Sequence, residues 1–185
     1  MNRPDLPETI ETDRLLLRRP KIGDAQVIFD LYASDPDVTR YMSWLRHERV
    51  ETTEQVVLDW VEQWQTGNNG GAYLVTDKAT NSILGGTGFD LHNQFVASTG
   101  YVFSKSEWGK GYATETLGAI LKLGKAYGLQ RLFAYCHHEH RDSARVIVKN
   151  GFEFEGRLRN YIEFPNLTPG KMSDVLMYAW TPNTD

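Results

Sequence analysis

From Val56 to Trp64 the apolar residues fall at Val56, Val57, Trp60, Val61 and Trp64, the three- and four-residue spacing of one helix face. Thr52 or Thr53 stands where an N-cap would, and Gly67 where the helix would stop. The spacing recurs at Ile22, Ala25, Ile28, Phe29 and Tyr32, with Asp24 near the start to suit the helix dipole, until Pro36 breaks the run and a short helix restarts. A longer amphipathic helix is predicted from Tyr112 to Gly128, with Ala113, Leu117, Ile120, Leu121 and Leu123 on its apolar face. A shorter one runs from Arg141 to the Asn150-Gly151 stop.

Other stretches have strand length and strand composition: "RLLLRRP" (14–20), "AYLVTD" (72–77), "SILGGTGFDLH" (82–92), "STGYVFSK" (98–105) and "RLFAYCH" (131–137). "FEFEGRLRNYIEF" (152–164) reads as a strand bent at Gly156, and "SDVLMYAWT" (173–181) as a final strand. "GNNGG" (67–71) is a turn, "TDKATN" (76–81) a hairpin connection, and "HNQFVAS" (92–98) a looser one. A meander followed by a βαβα unit implies an α/β (α+β) fold, with a single mixed sheet and helices on both faces. The crossover from "TGYVFS" to "RLFAYC" makes those two strands parallel, joined right-handedly.

The 185 residues fit one domain, 1–185. A net charge of −4 argues against a protein that wraps nucleic acid. The lone cysteine, Cys136, forbids an internal disulfide and suits a reducing cytoplasm. "MNRPDLPETIETDR" has no apolar signal-peptide core, and no apolar run approaches a membrane span, so no membrane attachment is expected.

Candidate chemistry centres on "KSEWGKGYAT" (105–114), between a strand and a helix. Gly109 and Gly111 permit unusual φ and close approach to the backbone, the first N–H groups of a helix lack internal partners, and an anion is a favourable guest there. Lys105 and Lys110 add positive charge nearby. The chain has no GxxxxGK[ST] loop, and Thr114 occupies the third glycine position of a dinucleotide fingerprint. Taken alone, the turn is open to two readings, a flexible connection or an anion seat.

"WGKGYATETLGAILKLG" resembles the pyrophosphate-binding loop of the GNAT superfamily, the acetyl-CoA-dependent N-acetyltransferases, with Trp108, Gly111 and Ala113 on the positions of its Q/R-x-x-G-x-G/A pattern. Trp at the first position resembles the Rim-type (RimJ/RimL) branch, which acetylates the N-termini of ribosomal proteins. "IETDRLLLRRPKIGDA", "ILGGTGF", "GYVFSKSEWGKGYATE", "SARVIVKNGFEFEGRLRN" and "SDVLMYAW" follow that branch in order along nearly the whole chain. Two positions depart: His140 replaces a common Asn, and Ser98 and Thr99 stand where the branch often has an acid.

The resemblance implies a mostly antiparallel sheet with a splayed parallel pair of central strands and acetyl-CoA in the gap. Backbone at Tyr101, Val102 and Phe103 would hold the pantetheine and polarise the acetyl carbonyl. Backbone of Trp108, Gly109, Lys110, Gly111, Tyr112, Ala113 and Thr114 would take the pyrophosphate. Ser143 would contact the cofactor and protonate the leaving thiolate, and His140 would bond the cofactor's amide chain. Glu163 is the candidate base, with Asp174 and Asp90 as rivals and an ordinary surface glutamate as the plain alternative. The acceptor would be a primary amine, on a protein N-terminus or a small molecule, and the enzyme a monomer or homodimer. The competing class is a non-catalytic acyl-CoA-binding module, hinted at by the missing acid.

"CHHEH" (136–140) has metal-ligand residue types, but adjacent residues on a strand alternate faces, so no metal is expected and Cys136 reads as a buried filler. Trp60 and Trp64 read as packing residues, with a place in the acceptor groove as the alternative, and "RHER" (46–49) reads as a solvated loop. Tyr101 and Tyr178 could be core or active-site tyrosines.

Overall fold

The computed structural model describes residues 6–66 and 70–182. Its strands are β1 (Thr9–Glu11), β2 (Leu15–Arg18), β3 (Gly70–Asp77), β4 (Ile83–Leu91), β5 (Val96–Phe103), β6 (Arg131–His137), β7 (Glu153–Glu163) and β8 (Met172–Trp180). The α-helices are α1 (Ala25–Ile28), α2 (Pro36–Thr39), α3 (Val50–Thr66), α4 (Tyr112–Ala126) and α5 (Arg141–Lys149). The strands form one sheet in the order β1-β2-β3-β4-β5-β6-β8-β7. Every neighbouring pair is antiparallel except β5 and β6.

Alternation along the central strands divides the core. Leu74 packs with Ala25, Ile28 and Val57 under α1 and α3. Phe89, Ala97 and Leu132 face the other way, onto Leu117 and Ile120 of α4 and Ile147 of α5. One sheet face therefore carries α1 and α3, the other α4 and α5, as the sequence pattern requires.

The structure departs from the pattern in five places. Residues 22–33 are not one helix: a 3-10 turn (Ile22–Asp24) leads into α1, which ends in a π turn (Phe29–Ala33) closed by Ser34, whose hydroxyl donates to the Phe29 carbonyl at 2.8 Å. Ile22 lies outside the buried face, and Asp24 serves an ion pair, taking both Arg18 guanidinium nitrogens at 2.8 Å. α3 begins at Val50, ahead of both threonines offered as its cap. Thr53 is instead buried, its hydroxyl 2.7 Å from His47 Nδ1. β1 was not visible in the pattern, and β5 starts at Val96 inside the stretch read as a loose connection. Gly67 and the first part of "GNNGG" lie outside the described residues, while Gly70 and Gly71 open β3.

Candidate active site

β5 and β6 are paired only at Val96–Arg131, Ala97–Leu132 and Ser98–Phe133. Beyond Ser98 the two strands run on without bonding each other and open a cleft of about 540 Å³. Its sides are Thr99–Val102 of β5 and Ala134–Cys136 of β6, with His140 and Ser143 of α5 at the far edge. Unpaired backbone groups in such a gap need partners, and an extended ligand with amide groups can supply them.

The helix that follows β5 brings its positive end to the side where the gap opens. Gly109 (φ 76°) and Gly111 (φ 82°) hold left-handed backbone that other residues adopt only at a cost. Gly111 caps α4 and offers no side chain to its first N–H groups, so those groups stay available to an anion. Tyr112, Ala113 and Thr114 form the half-buried first turn. The Trp108 indole N–H donates to the Phe103 carbonyl at 2.9 Å and pins the loop to the end of β5.

The two lysines expected to lend free charge are already engaged, Lys105 with Asp37 at 2.5 Å and Lys110 with Glu107 at 3.0 Å. Arg14 also reaches the loop, itself paired with Glu115. Its guanidinium donates to the Lys110 carbonyl at 3.0 Å and lies 4.6 Å over the Tyr112 ring. Glu115 fixes it, accepting from Arg14 Nε at 2.7 Å, from the Arg14 N–H at 2.9 Å and from the Thr12 hydroxyl at 2.6 Å. Nothing local in the sequence marks Arg14, because β2 and α4 meet only in three dimensions.

Tyr101 and Ser143 meet across the gap, their hydroxyls 3.0 Å apart, and the Tyr101 hydroxyl lies 3.2 Å from the Ser143 carbonyl. Burial pushes the Tyr101 phenol well above its ordinary value, so it stays protonated and able to donate. Burial also pushes the Cys136 thiol up to about 11, partly offset by the Ser143 hydroxyl. His140 sits at the N-terminus of α5 with its ring stacked on Tyr41 at 4.6 Å, and burial lowers its pKa, keeping it neutral at pH 7. Val102 turns toward the α1 and α3 side, and Phe103 is buried on the other face.

The candidate bases part company. Glu163 ends β7 outside the cleft lining, its carboxylate accepting the Gly170 N–H at 2.7 Å. Asp174 is held by the Asn160 N–H (2.9 Å) and Arg157 (2.7 Å), which keep its carboxyl below the usual range. Asp90 alone of the three lines the cleft, where burial raises its pKa. Of the two tryptophans, Trp60 lines the cleft, whereas Trp64 packs edge-on against Tyr73 and donates to the Ala72 carbonyl at 2.8 Å. Among the described residues no group of three His, Cys, Asp or Glu is placed to hold a metal, and no helix is long and apolar enough to cross a membrane.

A parallel pair that splays beside a glycine-capped helix can seat an extended ligand with an anionic tail across an open sheet. The chain belongs to the GNAT acetyltransferases, whose acetyltransferase domain model matches residues 14–153. It is an acetyl-CoA-dependent N-acetyltransferase. It is 31% identical over 163 residues to the uncharacterized N-acetyltransferase YoaA of Bacillus subtilis, covering 86% of this chain and 90% of that one. A GNAT-family acetyltransferase structure from Bacillus anthracis is 28% identical, covers 94% of this chain and 98% of its own, and superposes with a TM-score of 0.80. RimL, a ribosomal L7/L12 α-N-protein acetyltransferase solved with coenzyme A, shares the fold with a TM-score of 0.80 at 22% identity, over 96% of this chain and 100% of that one.

Proposed function

We propose that acetyl transfer takes place in the β5–β6 gap, onto a primary amine that enters from the α1 and α3 side. The observation that carries this reading is the end of β5–β6 pairing at Ser98, next to a helix capped by left-handed Gly111. Residues around the gap fit a coenzyme A thioester. The N–H groups of Gly109–Thr114 and the Arg14 guanidinium would take its pyrophosphate, and the free backbone edge of Tyr101–Phe103 would bond the pantetheine amides. Acetyl-CoA supplies an acyl group on a good leaving thiolate.

The protein's part is then positioning and proton traffic. Holding amine and thioester in line is worth roughly 7–11 kcal/mol in well-oriented systems. An N–H of the Tyr101–Phe103 edge would stabilise the carbonyl oxygen as negative charge develops on it. As the C–S bond breaks, the Ser143 hydroxyl would give its proton to the thiolate and take one from the Tyr101 hydroxyl 3.0 Å away, while the proton that the amine loses on acylation would pass through water to restore the phenol. The acceptor is a protein N-terminal amine of the ribosomal type or a small-molecule amine.

Release of free CoA thiol from acetyl-CoA, measured with a panel of amines and N-terminal ribosomal-protein peptides, tests the reading. Turnover with at least one amine is expected. Tight acetyl-CoA binding with no thiol release on any acceptor would mean a carrier-binding module instead.

A further inference from the structure

The half of the cleft on the α1 and α3 side has a floor almost without side chains. Ala72, Gly88 and Gly100 lie directly opposite one another across β3, β4 and β5, and Gly86 lies two residues before Gly88 on the same face. A Cβ at Gly100 would meet nothing within 4 Å, and one at Gly88 would come 3.3 Å from the Asp90 carboxylate. Missing side chains here create the room that larger residues would fill. Around the floor stand Tyr41, Trp44, Trp60 and Tyr135. Such walls receive apolar bodies and favour cations at ring faces.

Charge in this chamber has one sign. Among the described residues that line the cleft, Asp90 is the only carboxylate and there is no lysine or arginine, the Arg40 guanidinium lying 5.4 Å over the Tyr41 ring without joining the lining. His47 and His140 also line it, but burial lowers both pKa values, so neither offers positive charge at neutral pH. Asp90 keeps an exposed edge opposite Ser98, while the protein packed on its other side desolvates the carboxylate and raises its pKa. Its charged and titratable neighbours are His92, whose Nε2 is 2.8 Å from the Ser98 hydroxyl, and Tyr135, whose phenol feels the Asp90 charge. The Tyr32 hydroxyl is buried in the same lining without a hydrogen-bond partner, a polar group left for a ligand to satisfy.

We propose that this chamber is built for a small amine with an apolar body and no carboxylate, and that Asp90 is the residue that selects it by charge. The inference rests on the acetyl-transfer reading above and narrows its acceptor. An incoming ammonium is drawn to Asp90, while an amino acid brings a carboxylate that finds the same negative charge and no cation to pair with.

Thiol release at saturating acetyl-CoA, with matched pairs that differ only in a carboxylate, is the test: phenethylamine with L-phenylalanine, and isopentylamine with L-leucine. The amine of each pair should exceed its amino acid by about tenfold or more in kcat/KM. Asp90→Asn should lower kcat/KM for the amines by about tenfold, mainly through KM, and remove its dependence on salt. The acetyl-CoA KM should stay the same, which a merely structural role for Asp90 would not produce. Equal turnover within each pair, an unchanged Asp90→Asn enzyme, or faster turnover of a ribosomal N-terminal peptide than of either amine overturns the proposal and leaves acetyl transfer standing. No thiol release with any acceptor overturns the acetyl-transfer reading and this inference with it.

Discussion

In the proposed cofactor seat Gly111 is the residue whose backbone matters most directly, because its left-handed φ opens α4, whose first N–H groups would meet the pyrophosphate. Gly111→Val forces an L residue into that region at a cost on the order of 1–2 kcal/mol, and it puts a side chain where the ligand approaches. The KM for acetyl-CoA should rise about tenfold or more, with the far-UV circular dichroism unchanged; an unaltered KM would show the loop to be an ordinary turn. Arg14 depends on Glu115, whose burial opposes its charge while bonds from Thr12 and Arg14 outweigh that and hold the carboxyl below its ordinary value. A depressed folded pKa adds stability that is present above the unfolded carboxylate value and is lost as pH falls through the folded one. Wild-type Tm should therefore drop through the acid carboxylate range more steeply than that of Glu115→Gln, and thermal melts from neutral to acid pH check this. Ser143→Ala should lower kcat by roughly 10²-fold with a smaller change in KM for acetyl-CoA, whereas loss in KM alone would make Ser143 a binding contact only. The glycines of the loop were legible in the sequence as a local turn motif, and Ser143 only through the family resemblance. The Tyr101 hydroxyl as Ser143's partner, and Arg14 as the loop's cation, were not, since 42 and 96 residues separate the bonded groups.

α3 shows how one apolar stripe serves two purposes. Trp60 and Trp64 share the spacing that predicts the helix, yet the structure sends Trp60 to the cleft and Trp64 into packing with Tyr73 and under the Arg19 guanidinium, 4.4 Å from its ring. Trp64→Ala should cost about 3–5 kcal/mol in urea unfolding, while Trp60→Ala should chiefly raise the KM for the amine. The reverse assignment of effects would mean the two side chains trade roles. Periodicity found α3, α4, α5 and most strands because each buries one continuous face. It missed β1, whose three residues are too few to show a period, and it ran one helix through residues 22–33 because it cannot register a π turn. That turn lies where Tyr32 leaves the helix for the cleft, so the irregularity sits at the site.

The whole sheet makes sense of the pieces. Crossover topology placed β5 beside β6, but chain order does not put β8 between β6 and β7, and no pattern in "STGYVFSK" or "RLFAYCH" records that their bonding stops at Ser98. The proposed acetyl transfer sits at that interruption: β5 leads straight into the Gly111 loop, α5 brings Ser143 to the gap, and the α1 and α3 face would wall the amine side. Amide hydrogen exchange with and without acetyl-CoA tests the arrangement most directly. Bound acetyl-CoA should slow exchange in two separate stretches, Gly109–Thr114 and Tyr101–Phe103, while leaving the outer strands β1 and β7 as they were. Saturating binding with no added protection in either stretch would contradict the account.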